Sequence, residues 1–424
     1  MKVLLISANT EQFNMPAMPL GLACVAAASR KAGHEVILLD LMFERNTKAI
    51  LTQAIKRLRP ECIGISVRNI DNQDIENPRF FLSKVKEVVT TCRAETDAPI
   101  VLGGAGYSIF PESALAYLEA DMGIEGEGEI AFPSLLSHLE NKSDLSGIPG
   151  LHIRNHSRQQ PRTLAKKLDE LPLPDTRILS VSANKNNNPW IPVQTRRGCA
   201  LKCSYCSTPT IEGSILRQRS PELVVAWLAD WVKAGFTNFF FVDNTFNLPP
   251  AYAKEICRRI LEEGLKMHWR CIIYPKNVDD ELVELMAAAG CGQISLGFES
   301  GSEPMLKILN KRFSLEDVRA IATRFAVHGI ERMGFLLLGG PGETVESVER
   351  SLAFADSLNL EILRLTAGIR IYPGTQLAKI AASEGYPLLP ENLLDPHFYL
   401  AQGMAGWLLP RLKEWQASRP YVIM

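Results

Sequence analysis

The sequence predicts an α/β protein in which a doubly wound parallel sheet is followed by a partial (β/α)6 barrel and a short C-terminal extension. Apolar runs of strand length alternate with segments of helical periodicity in both halves of the 424-residue chain. Polar, proline-bearing sequence separates the two halves. The expected boundaries are 1–145 for the first domain, 146–190 for a linker, 191–380 for the barrel and 381–424 for the extension.

Composition narrows the class of protein further. Hydrophobic residues make up 46% and charged residues 22%, which is typical of a folded globular protein. The net charge of -1, with acids and bases interspersed, argues against nucleic acid or an anionic membrane as the partner. The opening MKVLLISA lacks the long apolar core of a signal peptide, and no apolar run approaches the roughly 18 residues of a membrane span. We therefore expect a cytoplasmic protein with small, locally recognised partners.

Five apolar runs predict the strands of the first domain: KVLLISA, EVILLDL, CIGISV, IVLGG and MGIEG. They are apolar on both faces, as buried parallel strands require, and helical segments such as LGLACVAAASRKAG separate them. The expected fold is a five-stranded sheet with helices on both sides. Since ligands of such sheets bind at the carboxyl ends of the strands, the segments SANT, SVRNID and GGAGYS should share one edge.

A second alternation predicts the barrel. Strand candidates are PVQTR, NFFFVD, MHWRCII, QISLGFES, RMGFLLLGG and EILRLTAGI, interleaved with helices such as PELVVAWLADWVKAG. Six such units imply a parallel barrel or partial barrel with its chemistry at the C-terminal ends of the strands. After Gly374 the pattern weakens, and PRLKEWQASRPYVIM predicts a helix and a tail that close the barrel.

Three of the nine cysteines stand together in RRGCALKCSYCSTP, directly after the first barrel strand. Cys199, Cys203 and Cys206 have C-x3-C-x2-C spacing, whereas the other six are scattered among apolar neighbours, as suits a reducing compartment. A structural zinc site would need a fourth ligand, and no second pair follows at a suitable distance. A disulfide with a spare thiol conflicts with a cytoplasmic protein. An iron–sulfur cluster held by three thiolates, with one iron left open, is favoured.

The cysteine triplet, on the loop after the first strand of a six-unit barrel, resembles the motif of the radical S-adenosylmethionine (SAM) superfamily. The resemblance covers about residues 190 to 380. The resemblance implies a [4Fe-4S] cluster whose open iron is chelated by the amino and carboxylate groups of SAM. It also implies that Tyr205 walls the adenine, that Asp243 accepts hydrogen bonds from the SAM ammonium and that Glu299 binds the ribose or methionine part. The alternatives are a loop aromatic that covers the cluster for Tyr205, an N-cap or Asx turn for Asp243 and a helix cap for Glu299.

Two glycine-bearing turns complete the expected SAM site. They are LLLGGPGET, with Gly339 and Gly340, and RIYPGT, with Tyr372. Glycine lets the backbone approach a ligand closely, and the resemblance implies that these turns meet the adenine. Taken alone, both are ordinary turns.

The first domain resembles the cobalamin-binding domain of the cobalamin-dependent radical SAM enzymes, a class that includes methyltransferases of unactivated carbon and phosphorus. The matching edge loops are GISVRNIDNQ, VLGGAGYS and GIEGEGE, over about residues 60 to 130. Doubly wound domains also place glycines there for packing reasons. The cobalamin contacts that the resemblance implies are Ser66, Arg68, Gly103, Gly104, Gly126 and Glu127.

One departure from the cobalamin-binding pattern concerns the ligand below the cobalt. Many cobalamin folds carry D-x-H-x-x-G, but Met42 stands here where that histidine would be, and His34 is expected at the surface. Members of the radical SAM branch commonly lack the motif. Arg68 is the candidate for the lower face, where a cation would discourage a sixth ligand; a salt bridge to Asp71 or Asp74 is its alternative.

The combined resemblance implies radical methyl transfer. SAM cleaved by the cluster would yield a 5'-deoxyadenosyl radical that removes a hydrogen from a small-molecule substrate, which then takes a methyl group carried by cobalamin. An electron donor such as flavodoxin or ferredoxin is implied as partner. The alternatives are a radical SAM enzyme that transfers no methyl group, a non-catalytic cobalamin-binding or sensing protein and a small electron carrier. Trp269, Arg270 and Arg364 either line the substrate pocket or serve the core and salt bridges of the barrel.

Overall fold

The computed structural model describes residues 1–11, 18–156, 160–177, 189–386 and 393–424. The first domain is a parallel sheet of strand order β2-β1-β3-β4-β5-β6, in which only β6 is antiparallel to its neighbour. Its strands are β1 (Lys2–Ser7), β2 (Glu35–Asp40), β3 (Cys62–Ser66), β4 (Ile100–Gly103), β5 (Met122–Ile124) and β6 (Leu151–Ile153). Its helices are α1 (Leu20–Lys31), α2 (Thr47–Leu58), α3 (Leu82–Glu95), α4 (Ala105–Ile109), α5 (Pro111–Leu118) and α6 (Gly128–Glu140).

The five predicted strands of this sheet are confirmed, and β6 is an addition. It lies in the segment expected to be a linker, where three residues pair with β5 and bury Leu151. Its three residues run directly into the polar sequence RNHSRQQ, which is why the sequence does not reveal the strand.

The second domain is a curved parallel sheet with the strand order β17-β14-β13-β12-β11-β10-β7. Its strands are β7 (Ile191–Val193), β10 (Asn238–Phe241), β11 (His268–Ile273), β12 (Cys291–Glu299), β13 (Glu331–Leu338), β14 (Ile362–Ala367) and β17 (Val422–Ile423). Two short hairpin-like pairings stand outside it: β8 (Arg196–Arg197) with β9 (Arg217–Gln218), and β15 (Ile369–Arg370) with β16 (Phe398–Tyr399). The six predicted barrel strands are present, and the C-terminal tail adds the seventh.

Helices follow the strands of the barrel in the order that a βα repeat requires. They are α7 (Thr208–Glu212), α8 (Pro221–Lys233), α9 (Pro250–Glu262), α10 (Asp280–Ala288), α11 (Glu303–Ile308), α12 (Leu315–Val327), α13 (Val345–Ser357), α14 (Gln376–Ser383) and α15 (Leu408–Gln416). Ser314 and Thr344 begin α12 and α13 with capping boxes, in which the cap side chain and the third helical residue satisfy each other's backbone amides. No helix within the described residues is both long and apolar enough to cross a membrane.

The barrel strands alternate between a buried face and a partly exposed face. In β11 the buried residues are Trp269, Cys271 and Ile273, and β14 has the same period. The buried face belongs to the main hydrophobic core, together with buried residues of α8, α9 and α12. The opposite face therefore lines the interior of the barrel, which retains access to solvent.

Candidate active site

The cysteine loop lies between β8 and α7, at the C-terminal end of the first barrel strand. Cys199, Cys203 and Cys206 are free thiols and half-buried. Gly198 begins the loop with φ of +88°, and a Cβ there would lie 2.1 Å from the carbonyl oxygen of Ile215, so only glycine fits. Burial raises the pKa of the Cys199 thiol to about 11.

The donor set of this loop fits an iron–sulfur cluster better than a single ion. Within the described residues, no group of three or more His, Cys, Asp or Glu side chains is arranged to hold one metal ion. The ligands of a multi-iron cluster surround it instead of converging on one atom, and thiolates are the ligands that such clusters require. The charges of the other two thiols, Cys203 and Cys206, also raise the pKa of Cys199, so the three are close neighbours.

Tyr205 and Glu299 are brought together beside the loop by a residue that the sequence did not indicate. Lys311 donates to Glu299 Oε1 at 3.1 Å, and its Nζ lies 5.3 Å from the centre of the Tyr205 ring. Burial lowers the pKa of Lys311, but Glu299, Tyr205 and Cys203 outweigh it and raise that pKa well above its usual value. Glu299 itself has φ of +62° at an irregularity between β12 and β13, which turns its side chain out of the strand pattern.

The carboxylate of Asp243, which was expected to meet the SAM ammonium, accepts hydrogen bonds from within the protein. Its carboxylate accepts from the Thr195 amide at 2.8 Å, from the Thr195 hydroxyl at 2.6 Å and from the Arg196 amide at 3.2 Å. The residue is 1% exposed. The guanidinium of Arg196 lies 3.5 Å away and packs over the rings of Tyr252 and Phe246. This arrangement fixes the chain just before the cysteine loop, and it is a long-range contact, distinct from the local N-cap or Asx turn that was the alternative.

The glycine turn after β13 is likewise used within the protein. The amide of Gly339 donates to Glu343 at 3.3 Å, and its carbonyl accepts from the Ala401 amide at 2.8 Å. The carbonyl of Gly340 accepts from the Glu343 amide at 3.0 Å. A Cβ on Gly339 would lie 2.6 Å from Leu400, so the glycine admits the C-terminal segment. The structure therefore places these two glycines in packing contacts.

Tyr372 lies where the two domains meet. Its ring is 6.3 Å from that of Phe110 in the first domain, and the Arg370 guanidinium packs over both rings, at 5.2 Å and 5.8 Å. Arg370 also donates to Asp71 at 2.8 Å in a fully buried ion pair. Burial raises the pKa of Tyr372, and Cys206 adds to the effect, which places this ring near the cysteine loop.

A cavity of about 330 Å³ joins the two domains. On one side lie the carboxyl ends of β1, β3, β4 and β5; on the other lie Pro192, Gln194, Phe240 and Val242 of the barrel. Apolar side chains of the first domain also line the cavity, among them Leu5, Leu22, Val25 and Phe132. A lining that combines polar groups with apolar side chains suits a ligand like cobalamin, which carries an aromatic base on its nucleotide tail. All six residues predicted to contact cobalamin line this cavity: Ser66, Arg68, Gly103, Gly104, Gly126 and Glu127.

Arg68 does not make the salt bridges that were its alternative. Asp71 accepts from Arg370, and Asp74 accepts from the backbone amides of Glu76 and Asn77. Burial lowers the pKa of Arg68, and the negative charge of Asp40 offsets only part of this decrease. Arg68 is exposed to solvent at the edge of the cavity, where its cation is available to a ligand.

Glu127 and its neighbour Glu129 connect the domains. Glu127 accepts from Arg217 at 2.6 Å and lies 3.4 Å from Arg197, and Glu129 forms a buried ion pair with Arg197. Burial disfavours the charge on Arg197, but the two carboxylates outweigh it and raise its pKa. Glu127 thus lines the cavity with its carboxylate turned to the barrel.

Two further positions bear on the cobalamin prediction. Met42 is 4% exposed, and no histidine replaces it nearby in the sequence. The expectation that His34 lies at the surface is wrong: the residue is 7% exposed, and its Nδ1 lies 3.3 Å from the terminal amine of Met1. His34 is therefore part of the packing at the start of β1.

Trp269 is fully buried on the helix side of β11, which excludes it from the barrel interior.

Glu212 is another site residue that sequence reasoning missed. Its carboxylate accepts from the Gly198 amide at 3.1 Å, from Gln194 at 2.9 Å and from Asn244 at 2.8 Å, so it links the cysteine loop to β7 and β10. Burial raises its pKa. No motif marks Glu212, since its partners come from separate strands.

Comparison with known proteins agrees with this geometry. A model of the Radical SAM superfamily matches residues 193–355, and a model of the B12 binding domain matches residues 6–136. With both domains present in this order, the chain belongs to the cobalamin-dependent radical SAM enzymes, in the methyltransferase branch.

The similar proteins include methyltransferases. An uncharacterized methyltransferase of Pyrococcus horikoshii, PH0819, is 29% identical, over 90% of this chain and 83% of that one. Tryptophan 2-C-methyltransferase of Streptomyces laurentii is 25% identical, over 89% and 74%. The structure of the radical SAM methyltransferase TsrM from Kitasatospora setae, with cobalamin and a [4Fe-4S] cluster bound, has a TM-score of 0.80 at 26% identity, over 90% and 74%. The protein is a cobalamin-dependent radical SAM methyltransferase whose cofactors are a [4Fe-4S] cluster, SAM and cobalamin.

Proposed function

We propose that this enzyme methylates an unactivated centre of a small molecule held inside the barrel. The observation that carries the proposal is the cavity between the domains: it contains all six predicted cobalamin residues and also reaches Gln194 and Phe240 of the barrel. When bound, the cluster supplies the electron that cleaves SAM, and cobalamin carries the methyl group. Similarity to methyltransferases favours this reaction over the other uses of cobalamin considered above.

The cluster and SAM are assigned to the residues around the cysteine loop. Cys199, Cys203 and Cys206 hold the cluster. Tyr205 and Glu299 face SAM, and Lys311 holds the Glu299 carboxylate in place at 3.1 Å. Tyr372 covers the same region from the domain interface. Asp243 acts through Thr195 and Arg196 as a positioning residue, since its carboxylate is already occupied.

Cobalamin is assigned to the cavity. Ser66, Gly103, Gly104 and Gly126 form a wall with little side-chain volume, as close approach of a large planar ligand requires. Arg68 supplies the cation on this wall. The ion pairs of Glu127 and Glu129 with the barrel keep the wall against the cysteine loop and exclude water.

The electron for the cluster comes from a small redox protein of the flavodoxin or ferredoxin type, and the substrate is a small molecule. The relatives support a small-molecule substrate, because the Streptomyces laurentii enzyme acts on tryptophan by its name. The partial exposure of the cysteine loop supports an external electron donor, since such a donor must approach the cluster closely.

The test is turnover of SAM in the anaerobically reconstituted enzyme. We expect reduced enzyme with cobalamin to convert SAM to S-adenosylhomocysteine, and enzyme reconstituted without cobalamin to form none. Loss of this cobalamin dependence would contradict the proposal. The matched control is Arg57→Gln, a substitution on the exposed face of α2 that should leave the reaction unchanged.

A further inference from the structure

Exposed cations surround the point where the cysteine loop reaches the surface. Lys202 lies between the first two cysteines of the loop and is exposed, whereas those cysteines are half-buried. Lys307 is exposed in α11, and Lys276 and Arg312 are exposed on the connections that follow β11 and α11. The net charge of the whole chain is -1, so this concentration of positive charge is a local feature.

Hydrogen bonds place the four residues in one region of the surface. The side-chain amide of Asn310 donates to the Lys202 carbonyl at 2.5 Å, and its backbone amide donates to the Lys307 carbonyl at 3.0 Å. Two residues after Asn310, the Arg312 carbonyl accepts from the Lys276 ammonium at 2.7 Å. The connection after α11 therefore brings cations from three separate segments of the chain together.

The same connection holds the cysteine loop. The Ser204 amide donates to the Leu309 carbonyl at 3.1 Å. Lys311 is not part of the exposed set, since its side chain is buried and paired with Glu299. A partner bound over the four exposed cations would therefore contact the loop that carries the cysteines.

None of the four exposed cations is neutralised by the part of the chain that the structure describes. They form no ion pair there. Two acids close to them in sequence have other partners: Glu303 accepts from the Leu315 amide at 2.8 Å, and Asp279 pairs with Lys254 at 2.7 Å. Cations without acidic partners attract a negatively charged protein, and the attraction extends over roughly 8 Å at physiological ionic strength.

Apolar side chains are exposed next to these cations. Ile308 follows Lys307 in α11 and is 38% exposed. Ile215, whose carbonyl lies against Gly198 at the start of the cysteine loop, is 75% exposed. A small apolar contact within a charged surface suits a transient complex, in which charge guides the approach of the partner and little area is buried.

We infer that the surface formed by Lys202, Lys276, Lys307 and Arg312 is the docking site of the electron donor, and that this donor is a small protein with an acidic surface around its redox centre. The inference rests on the proposed function, in which a small redox protein supplies the electron. It adds the surface that this partner binds and the charge that the partner carries. In the complex the donor is oxidised by one electron and the cluster is reduced by one, with no bond formed or broken. The four cations act on encounter and orientation.

The first test is binding of oxidised flavodoxin of known negative net charge to the anaerobic, cofactor-loaded enzyme, by isothermal titration calorimetry. We expect the affinity to fall as salt is added, because ions screen exposed charges. Lys202→Glu with Lys307→Glu should weaken binding on the order of tenfold. Lys307→Glu alone lies outside the cysteine loop; it should show part of the loss, and it decides the matter if the double variant does not take up the cluster. The matched control, Lys48→Glu with Arg57→Glu on the exposed face of α2, changes the net charge equally and should bind as the wild type does.

A second measurement tests electron transfer through this surface. Stopped-flow absorbance follows reduction of the cluster by reduced flavodoxin and, separately, by photoreduced 5-deazaflavin, a small uncharged reductant. The Lys202→Glu, Lys307→Glu variant should slow the reaction with flavodoxin and leave the reaction with deazaflavin unchanged, since only the protein donor has to dock.

Each outcome decides the inference. No binding of flavodoxin by the wild type, binding unchanged in the Lys307→Glu variants, or equal loss in the α2 control would overturn it, as would equal slowing of both reductants. Binding of phosphatidylglycerol vesicles that requires the same lysines, with flavodoxin binding unchanged, would assign the surface to a membrane and also overturn it. Neither measurement requires turnover; failure of the proposed methyl transfer would appear separately, as missing S-adenosylhomocysteine.

Discussion

Glu299 and Lys311 form an ion pair of 3.1 Å beside Cys203, and the pair is almost closed to solvent. Glu299 is the last residue of β12, and Lys311 follows α11. The lysine also lies against Tyr205, so its one charge connects the cysteine loop with the end of a barrel strand. Removing it would leave a buried carboxylate without its cation.

We predict that Lys311→Met lowers the free energy of unfolding by about 3 to 5 kcal/mol, the usual cost of leaving one charge of a buried pair alone. The measurement is urea unfolding of the apo protein under reducing conditions. Lys311→Arg should recover most of the loss, and adding Glu299→Gln to Lys311→Met should recover part of it. A double variant no more stable than Lys311→Met would show that the two residues are not coupled.

The Arg197–Glu129 pair predicts a dependence of domain docking on pH. Burial raises the pKa of Glu129, but Arg197 outweighs it, so the folded pKa lies below the ordinary 4.5. Stability from this carboxylate is therefore complete above the unfolded pKa and is lost as the pH falls through the lower folded pKa. We expect Glu129→Gln to be less stable than wild type at pH 7 and the difference to shrink below pH about 4.

Thermal unfolding of both proteins across this pH range measures the effect. Glu76→Gln is the control, because Glu76 also bridges the domains, to Lys413, but is exposed. A difference between wild type and Glu129→Gln that stays constant with pH would contradict the assignment.

The neighbouring glycines Gly103 and Gly104 should respond differently to substitution. A Cβ on Gly103 meets only the Ile124 carbonyl, at 4.0 Å, whereas a Cβ on Gly104 would lie 2.6 Å from the Val67 carbonyl at a φ of +99°. We predict that Gly103→Leu folds but fills the cavity and loses cobalt. Gly104→Ala should instead lower stability by about 1 to 3 kcal/mol through backbone strain. Cobalt content and unfolding midpoints distinguish the two; full cobalt occupancy in Gly103→Leu would argue against the cavity as the cobalamin site.

Patterns within short segments were enough to predict most of the fold. Strands apolar on both faces stand out in sequence, and KVLLISA and CIGISV became β1 and β3 as expected. The strand β6 did not stand out, because its three residues run directly into polar sequence. The cysteine triplet could be read directly, since its ligands lie within one loop.

Contacts between distant segments could not be predicted. Asp243 was correctly placed at the end of a strand, but its hydrogen bonds go to Thr195, 48 residues earlier. Lys311 reaches Glu299 only because α11 returns the chain to the end of β12. The ion pair of Arg370 with Asp71 spans 299 residues and depends on how the domains dock. A short motif contains no information about partners in distant segments, whereas the folded structure shows these contacts directly.

The central claim is that three cysteines hold a cluster in the same chain that binds cobalamin. Its most direct measurement is the content of iron, sulfide and cobalt after anaerobic reconstitution, in wild type, Cys203→Ala and the control Cys92→Ala, a buried cysteine of α3. We predict about four iron atoms and about one cobalt per chain in wild type and control, and loss of iron with cobalt retained in Cys203→Ala. Iron retained in Cys203→Ala, or a wild-type enzyme that takes up a cluster but no cobalt, would contradict the account.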